Sequence, residues 1–484
     1  MMIQRRILAT AIAVLAMAPQ PVQAAERALP RLTVKDSQIT DVRGRTVILR
    51  GVNVNQLNDY AQNDQPLPTT APLSRADFAS MATLGVNVVR LNLAWSALEP
   101  TPGAFDQTYV ARIRRAVDDA ESFGIYTVLD MHQDAWGKSV GTPAGQTCPP
   151  LMKPGIGWDG APAWATLTDG WTTCNIAGVR EISPAVARAF QNFYDNRDGI
   201  QDHFVGTWAR LAEAFKNDSA IAGYDLLNEP NPGLRTPVPA AEQLGRFYER
   251  TIEAIRATGS KHLIIFEPSA LWSAFGIDAI PPRKYLTDPL TVFSPHLYSE
   301  SINVLGGIPS LETGFAIART AAASYGVPLW SGEWGWFGDP AAQTAKVDRF
   351  LDSANDSLMG GAWWSWSQAC GDPHAVRDGN THKVQGNLNQ IDCPGGTPLG
   401  LTAFKTPLSR PYPQAAPGLQ QITSSPYGFS GLHQTGDCTL EAWFPGTTKP
   451  SVTTKGLTKI TFAQTPGGWH LSACAKGPYS LTTP

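Results

Sequence analysis

Two stretches of the chain end in a glutamate set where chemistry can be done. One is Gly223–Pro230, GYDLLNEP, in which the apolar run Ile221–Leu227 gives way to Asn228, Glu229 and Pro230. The run has the length of a buried strand, and a proline, lacking an amide hydrogen, stops such a strand. The other is Ser331–Gly335, SGEWG, which puts Glu333 just after the run Pro328–Gly332. Paired carboxylates of this kind split glycosidic bonds. One stays protonated and gives its proton to the leaving oxygen, while the other is ionised and attacks the anomeric carbon. Enzymes that retain configuration hold the two about 5–5.5 Å apart.

Other polar and aromatic residues stand at the ends of similar runs. Arg90, in VVRLNLAW, would hydrogen-bond the nucleophile and keep it ionised. Tyr298, in PHLY after Leu290–Ser294, would do the same from the other side, and His296 would orient Glu229. Asn228 is placed for the sugar 2-hydroxyl, a contact that strengthens in the transition state. Trp366, in WWSW, offers an apolar face beneath the sugar ring, and His132 follows the third run. With Arg90 serving Glu333, Glu229 is the carboxylate expected to carry the raised pKa. Glu267 and Asp130 are the competing carboxylates. Each residue alone has a structural explanation: a salt bridge for the arginine, a core position for the histidine or tryptophan. Their order at successive strand ends carries the inference.

A fold must bring these ends together. Strand-like runs at Val47–Asn53, Val86–Leu93, Ile125–Met131, Ile221–Leu227, Leu263–Phe266, Leu290–Ser294, Pro328–Gly332 and Gly361–Trp366 alternate with helix-like ones. Val110, Ile113, Val117 and Ala120 recur at helical spacing, as do Phe204, Trp208, Leu211 and Phe215. Eight such alternations predict an α/β (β/α)₈ TIM barrel over residues 30–410, whose strand ends converge on one face. A hairpin, Leu32–Thr40 with Asp41–Val47, precedes it. Residues 135–183 form a long Gly/Pro-rich insertion bearing Trp136, Trp158, Trp164 and Trp171. Beyond Arg410 the helical period stops, and alternating runs at Cys438–Phe444, Lys459–Ala463 and Trp469–Ala473 predict a small β-sandwich-like domain over 411–484.

The 484 residues carry a net charge of −3 and 43% apolar content, which argues for a large core and against nucleic acid or an anionic membrane surface as partner. Residues 1–25 have the form of a signal peptide, with Arg5-Arg6, the apolar stretch Ile7–Ala18 and Val22-Gln23-Ala24, so the protein is expected to be secreted. Six cysteines in an exported chain favour disulfides. Proximity suggests Cys148–Cys174, Cys370–Cys393 and Cys438–Cys474, one of fifteen possible connectivities. No CxxC or HExxH is present, and neither metal nor other cofactor is expected.

The ordered set Arg90, His132, Asn228-Glu229, His296-x-Tyr298, Glu333 and Trp366 resembles glycoside hydrolase family 5, the retaining (β/α)₈ glycosidases. That resemblance implies Glu229 as acid/base and Glu333 as nucleophile, with the rest as the sugar-binding shell. His132-Gln133-Asp134 before a long loop, YDLLNEPNPG, SPHLY and SGEWG with a trailing β domain are similar to the endoglycoceramidase-related branch, which implies that Asp134 contacts the sugar. The expected substrate is then a glycolipid, cut between sugar and ceramide, with no obligate protein partner. A polysaccharide endo-glucanase or mannanase on the same fold is the alternative. A non-catalytic carbohydrate- or lipid-binding barrel is the reading from a different class.

Overall fold

A continuous buried strand needs apolar neighbours on both faces, and the runs VVRLNLA and YTVLDMH are buried at every position. The computed structural model of the chain describes residues 28–276, 278–302, 309–377 and 383–484; the signal-like segment 1–25 lies outside them.

The chain begins with a meander of three strands, β1 (Leu32–Lys35), β2 (Gln38–Asp41) and β3 (Arg45–Val47), where the sequence suggested two. The extra break falls at Asp36 and Ser37, whose φ values of 51° and 55° make a two-residue turn matched to the twist of paired strands. The barrel then starts with β4 (Arg50–Val54), α1 (Arg75–Ala82) and β5 (Val88–Ala94), followed by α2 (Trp95–Leu98), α3 (Gln107–Glu121) and β6 (Tyr126–His132). The insertion holds a small pair, β7 (Met152–Lys153) and β8 (Asn175–Ile176), and is followed by α4 (Pro184–Tyr194) and α5 (Ile200–Phe215). Next come β9 (Ile221–Asp225), α6 (Pro237–Ala257), β10 (Leu263–Phe266), α7 (Ala270–Phe275) and β11 (Thr291–Phe293). The barrel ends with α8 (Leu311–Tyr325), β12 (Ser331–Trp334), α9 (Pro340–Asp356) and β13 (Gly361–Trp363). A hairpin of β14 (Asn389–Ile391) and β15 (Pro398–Leu401), then α10 (Lys405–Leu408), leads to β16 (Tyr412–Pro417), β17 (Leu419–Ser424), β18 (Tyr427–Pro445), β19 (Thr453–Thr465) and β20 (Gly468–Thr482).

Eight parallel strands pair in the order β11-β10-β9-β6-β5-β4-β13-β12. The ring closes between its two ends, where Phe293 bridges Leu329 and donates its N–H to the Pro328 carbonyl at 3.0 Å. This is the (β/α)₈ TIM barrel. Val88, Val128, Ala222, Leu263, Val292, Trp330 and Ala362, from seven consecutive barrel strands or the turns entering them, cluster with Leu32 and Ile39 of the meander and Ala415 of β16. The meander therefore plugs one end of the barrel and leaves the other for the site.

The remaining β structure is one eight-stranded sheet, ordered β1-β2-β3-β16-β18-β20-β19 with β17 also on β18. Three of its strands come from residues 32–47, on the barrel side of the predicted boundary. Long β18 pairs with β17 at Tyr427–Gly431 and with β16 at Glu441–Trp443. Register shifts between His433 and Leu440 bend it, so that Tyr427 at one end packs on Phe444 at the other, with ring centroids 5.9 Å apart. One folded sheet thus encloses its own core, as a sandwich does. Disulfides join Cys148–Cys174, Cys370–Cys393 and Cys438–Cys474, the pairing that proximity suggested. Among the described residues no helix is long and apolar enough to cross a membrane.

Candidate active site

Arg90 projects from the middle of β5 and is fully buried. Its Nη1 donates to Glu333 Oε1 at 2.7 Å and to Asn53 Oδ1 at 3.1 Å. Its Nη2 meets Asn228 Oδ1, Glu267 Oε1 and Asp130 Oδ1, each at 2.9 Å, and Nε meets Asp225 Oδ2 at 2.9 Å. A buried guanidinium is tolerable only with its donors taken, and this one takes oxygens from four carboxylates and two amides. The competing carboxylates are thereby accounted for: Asp130 and Glu267 hold Arg90. Asp130, Asp225 and Glu267 are close enough to share a cation, and Arg90 supplies that charge.

Glu333 lies inside β12 rather than after it, because the strand starts later than the apolar run suggested. Its Oε1 faces Arg90, and its Oε2 accepts from the Tyr298 hydroxyl at 3.0 Å. Burial and the Glu333 charge push the Tyr298 phenol well above its ordinary pKa, so it remains a donor. Both donors expected on Glu333 from the sequence, Arg90 and Tyr298, therefore reach it, one on each oxygen.

Glu229 stands beyond the end of β9, with a positive φ of 39° in the left-handed region that a side chain rarely adopts. Its N–H is held by Glu267 Oε2 at 2.8 Å, and its carbonyl accepts from Gln133 Nε2 at 3.0 Å. Its Oε1 receives His296 Nδ1 at 2.9 Å, while the other ring nitrogen of His296 lies 3.1 Å from Glu267 Oε1. An oxygen of Glu229, an oxygen of Glu333 and a nitrogen of His296 all lie within 4.8 Å of one another. Such a spacing matches the close pair of the retaining route and falls short of the about 6.5–9.5 Å that separates the carboxyl groups in the inverting one.

One expectation is corrected. Glu229 was to carry a raised pKa, and burial does push it up. The His296 hydrogen bond and the charges of His296 and Arg180 outweigh burial and hold the carboxyl below its ordinary value. Arg180 comes from the insertion, where no periodic signal marks it. Its Nη2 is 3.4 Å from Glu229 Oε2 and 2.6 Å from Asp134 Oδ1, and its guanidinium lies over Trp158.

His132 and Asp134 line the adjoining wall. His132 Nδ1 pairs with Asp130 Oδ2 at 2.7 Å, and its Nε2 lies 3.5 Å from Asp134 Oδ2. Asp134 also receives His374, which packs edge-on against Trp158, Tyr60 and Trp364. Burial opposes charge on His132, but Asp130 raises its pKa well above the ordinary value. Asn228 gives its Oδ1 to Arg90 and one Nδ2 hydrogen to the Gln133 carbonyl, leaving its second hydrogen for another acceptor.

Trp366 is the second correction. It is fully buried, belongs to the main core, and donates Nε1 to Asp77 Oδ1 at the start of α1, so it does not face the pocket. Strand β13 ends at Trp363, and the next peptide, Trp364-Ser365, is cis. Trp364 is the tryptophan that stacks on His132, with centroids 5.6 Å apart and planes 12° from parallel. Three tryptophans and a serine in WWSW left only the alternation of side chains along a strand to choose among them, and the strand stops too soon for that rule to reach Trp366.

The cellulase family, glycosyl hydrolase family 5, matches this chain over residues 41–370. The endoglycoceramidase of Cyanea nozakii is 29% identical over 279 residues, covering 50% of this chain and 52% of that protein. The chain spans about half the length of the curated relatives it matches first. Among solved structures, a crystal structure of endogalactoceramidase superposes with a TM-score of 0.90 at 63% identity, covering 94% of this chain and 100% of that one. Endo-glycoceramidase II from Rhodococcus sp. in complex with ganglioside GM3 superposes with a TM-score of 0.71 at 25% identity, covering 93% and 100%. The same protein is known as a lactosyl-enzyme intermediate, with a TM-score of 0.70, 25% identity and 93% and 99% coverage. The family match runs through the strands that carry Arg90, Glu229 and Glu333, and the chain belongs to glycosyl hydrolase family 5.

Proposed function

We propose that the protein is an exported retaining β-glycosidase that cuts glycolipids between sugar and ceramide. Glu333 is the nucleophile. Arg90 and Tyr298 hold its two oxygens and keep it aimed as it attacks the anomeric carbon, forming a glycosyl-enzyme ester. Glu229 protonates the departing ceramide oxygen, then takes a proton from the water that hydrolyses the ester, and the proton count is restored. Asn228, with its spare hydrogen, meets the sugar 2-hydroxyl. His132, Asp134 and Trp364 form the wall beside the ring.

For the first step Glu229 must carry a proton. Burial is the largest influence on it and acts upward. An aglycone arriving at Oε2 takes the place of Arg180, removing one of the charges that oppose protonation. Once ceramide leaves, Arg180 returns and favours the ionised form that the second step needs.

The single observation that carries the reading is the close pair Glu229 and Glu333, one held by His296 and the other by Arg90 and Tyr298. Likeness to an endogalactoceramidase and to endoglycoceramidases supports ceramide as the aglycone, with a galactose-linked head group as the finer proposal. Likeness to an enzyme known as a lactosyl-enzyme intermediate supports the covalent route. Three disulfides support passage through an oxidising compartment. A panel of galactosyl- and glucosyl-linked ceramides, cellulose and mannan, with products identified by mass spectrometry, tests the substrate. Intact glycan plus ceramide is expected; shortened polysaccharide chains with untouched glycolipid would sink the proposal. Glu229→Ala should lose about 10²–10⁴-fold on ceramide substrates but little of the first step on an aryl glycoside whose leaving group needs no proton.

A further inference from the structure

Three apolar side chains at the far end of the insertion are exposed to water. Leu151 is 91% exposed, Ile176 46% and Ile182 44%. Backbone hydrogen bonds hold the segments that carry them together. Ala177 N–H donates to the Leu151 carbonyl at 3.2 Å, Ile176 N–H donates to the Ile182 carbonyl at 3.0 Å, and Met152 of β7 faces Ile176 of β8. The Cys148–Cys174 disulfide joins the two sides of this tip. Leu151 also has a φ of 70°, a left-handed conformation that is a genuine outlier for a bulky side chain. Exposure of a leucine in that conformation does nothing for folding, so its presence calls for a contact made elsewhere.

The stem of the tip reaches the catalytic pocket. Two residues before Ile182, Arg180 lies against Oε2 of Glu229, and the Glu181 carbonyl accepts from Asn231 Nδ2 at 2.9 Å. Oε2 is the Glu229 oxygen not taken by His296, so the leaving group departs on this side. A lipid leaving group drawn from a membrane must therefore pass the stem that carries the tip. Lys153 is the tip's exposed cation, and the chain has a net charge of −3, so attraction to an anionic surface is not its basis.

We propose that Leu151, Ile176 and Ile182 form a lipid-surface contact that enters the interface of an uncharged or zwitterionic membrane and sets the barrel mouth over embedded glycolipid. The inference rests on the glycolipid reading above. Its test uses the full chain and phosphatidylcholine vesicles, with and without galactosylceramide. Leu151→Glu should weaken vesicle binding, measured by sedimentation, by about tenfold or more, since a charge replaces a buried aliphatic chain. Turnover of vesicle-borne glycolipid should fall in parallel, while hydrolysis of a soluble aryl glycoside and the melting temperature stay unchanged. Unchanged vesicle affinity in a folded variant overturns the proposal. Should that variant fail to fold, Leu151→Cys provides a second measurement: all six native cysteines are in disulfides, so a polarity-sensitive dye marks the tip alone. A blue shift on adding vesicles supports insertion, and an unchanged spectrum refutes it. Vesicle binding through the tip without ceramide release would refute the enzymatic reading and leave the contact standing; ceramide release with tip-independent binding would do the reverse.

Discussion

Tyr298→Phe isolates a single bond to the nucleophile. The ring stays, stacked near Phe337 with centroids 6.4 Å apart, and only the hydroxyl 3.0 Å from Glu333 Oε2 is lost. When water releases the sugar, Glu333 is the leaving group and its charge returns. A donor on Oε2 lowers that barrier. A hydrogen bond to a charged group is worth about 1.5–3 kcal/mol, which corresponds to roughly 10- to 150-fold in rate. His296 Nδ1, 3.5 Å from the same oxygen, offers a partial substitute and favours the lower end. An aryl glycoside with an activated leaving group makes release of the sugar rate-limiting. The variant should then show a full burst of aryl product, a kcat reduced at least about tenfold, and a KM that falls with it as the intermediate accumulates. Because Tyr298 stays protonated well past its ordinary pKa, the ratio of the two enzymes should not vary across neutral pH. A kcat within about threefold of the parent, or a burst that disappears, refutes the role given to this bond.

Arg180→Met removes a cation from Glu229 while leaving His296, Asp134, Glu181, Glu267 and Glu333 around it. The carboxyl pKa should rise, so the alkaline limb of the pH–kcat/KM profile for glycolipid moves to higher pH; a limb that stays or moves down contradicts the geometry. Burial raises the carboxyl of Asp159 to about 8, so it stays neutral in the folded protein while the unfolded chain ionises from about 3.8. Stability is therefore lost progressively as pH rises between those values, and Asp159→Asn, which keeps the acceptor for Asn58, should gain up to about 4 kcal/mol at pH 7 in urea unfolding and little at pH 4. Ending the chain at Arg410 strips β16 from β3 and takes away the Tyr412 hydroxyl bonded to the Gly85 carbonyl at 2.6 Å, so the shortened chain should lose its cooperative melting transition rather than merely its lipid preference.

How the chain folds and acts was divided between local pattern and long-range packing. The buried runs were legible because a parallel barrel strand is apolar on both faces, and Asn228-Glu229-Pro230 was legible because proline ends such a strand. Strand order in a barrel then fixes which ends meet, so Arg90, Glu229, His296, Tyr298 and Glu333 could be grouped from sequence alone. What sequence could not settle were matters decided by contacts between distant residues. Trp364 rather than Trp366 faces the site because β13 ends one residue earlier than Trp364 and the Trp366 indole is taken up by Asp77, at the start of α1. The resting charge of Glu229 depends on Arg180, which arrives from an insertion with no periodicity to place it. Residues 32–47 join the C-terminal sheet because β3 finds β16, a pairing between opposite ends of the chain. Residue type and local order determined which groups could act; which of them touch, and with what charge, was decided by the tertiary structure, because both depend on partners far away in sequence.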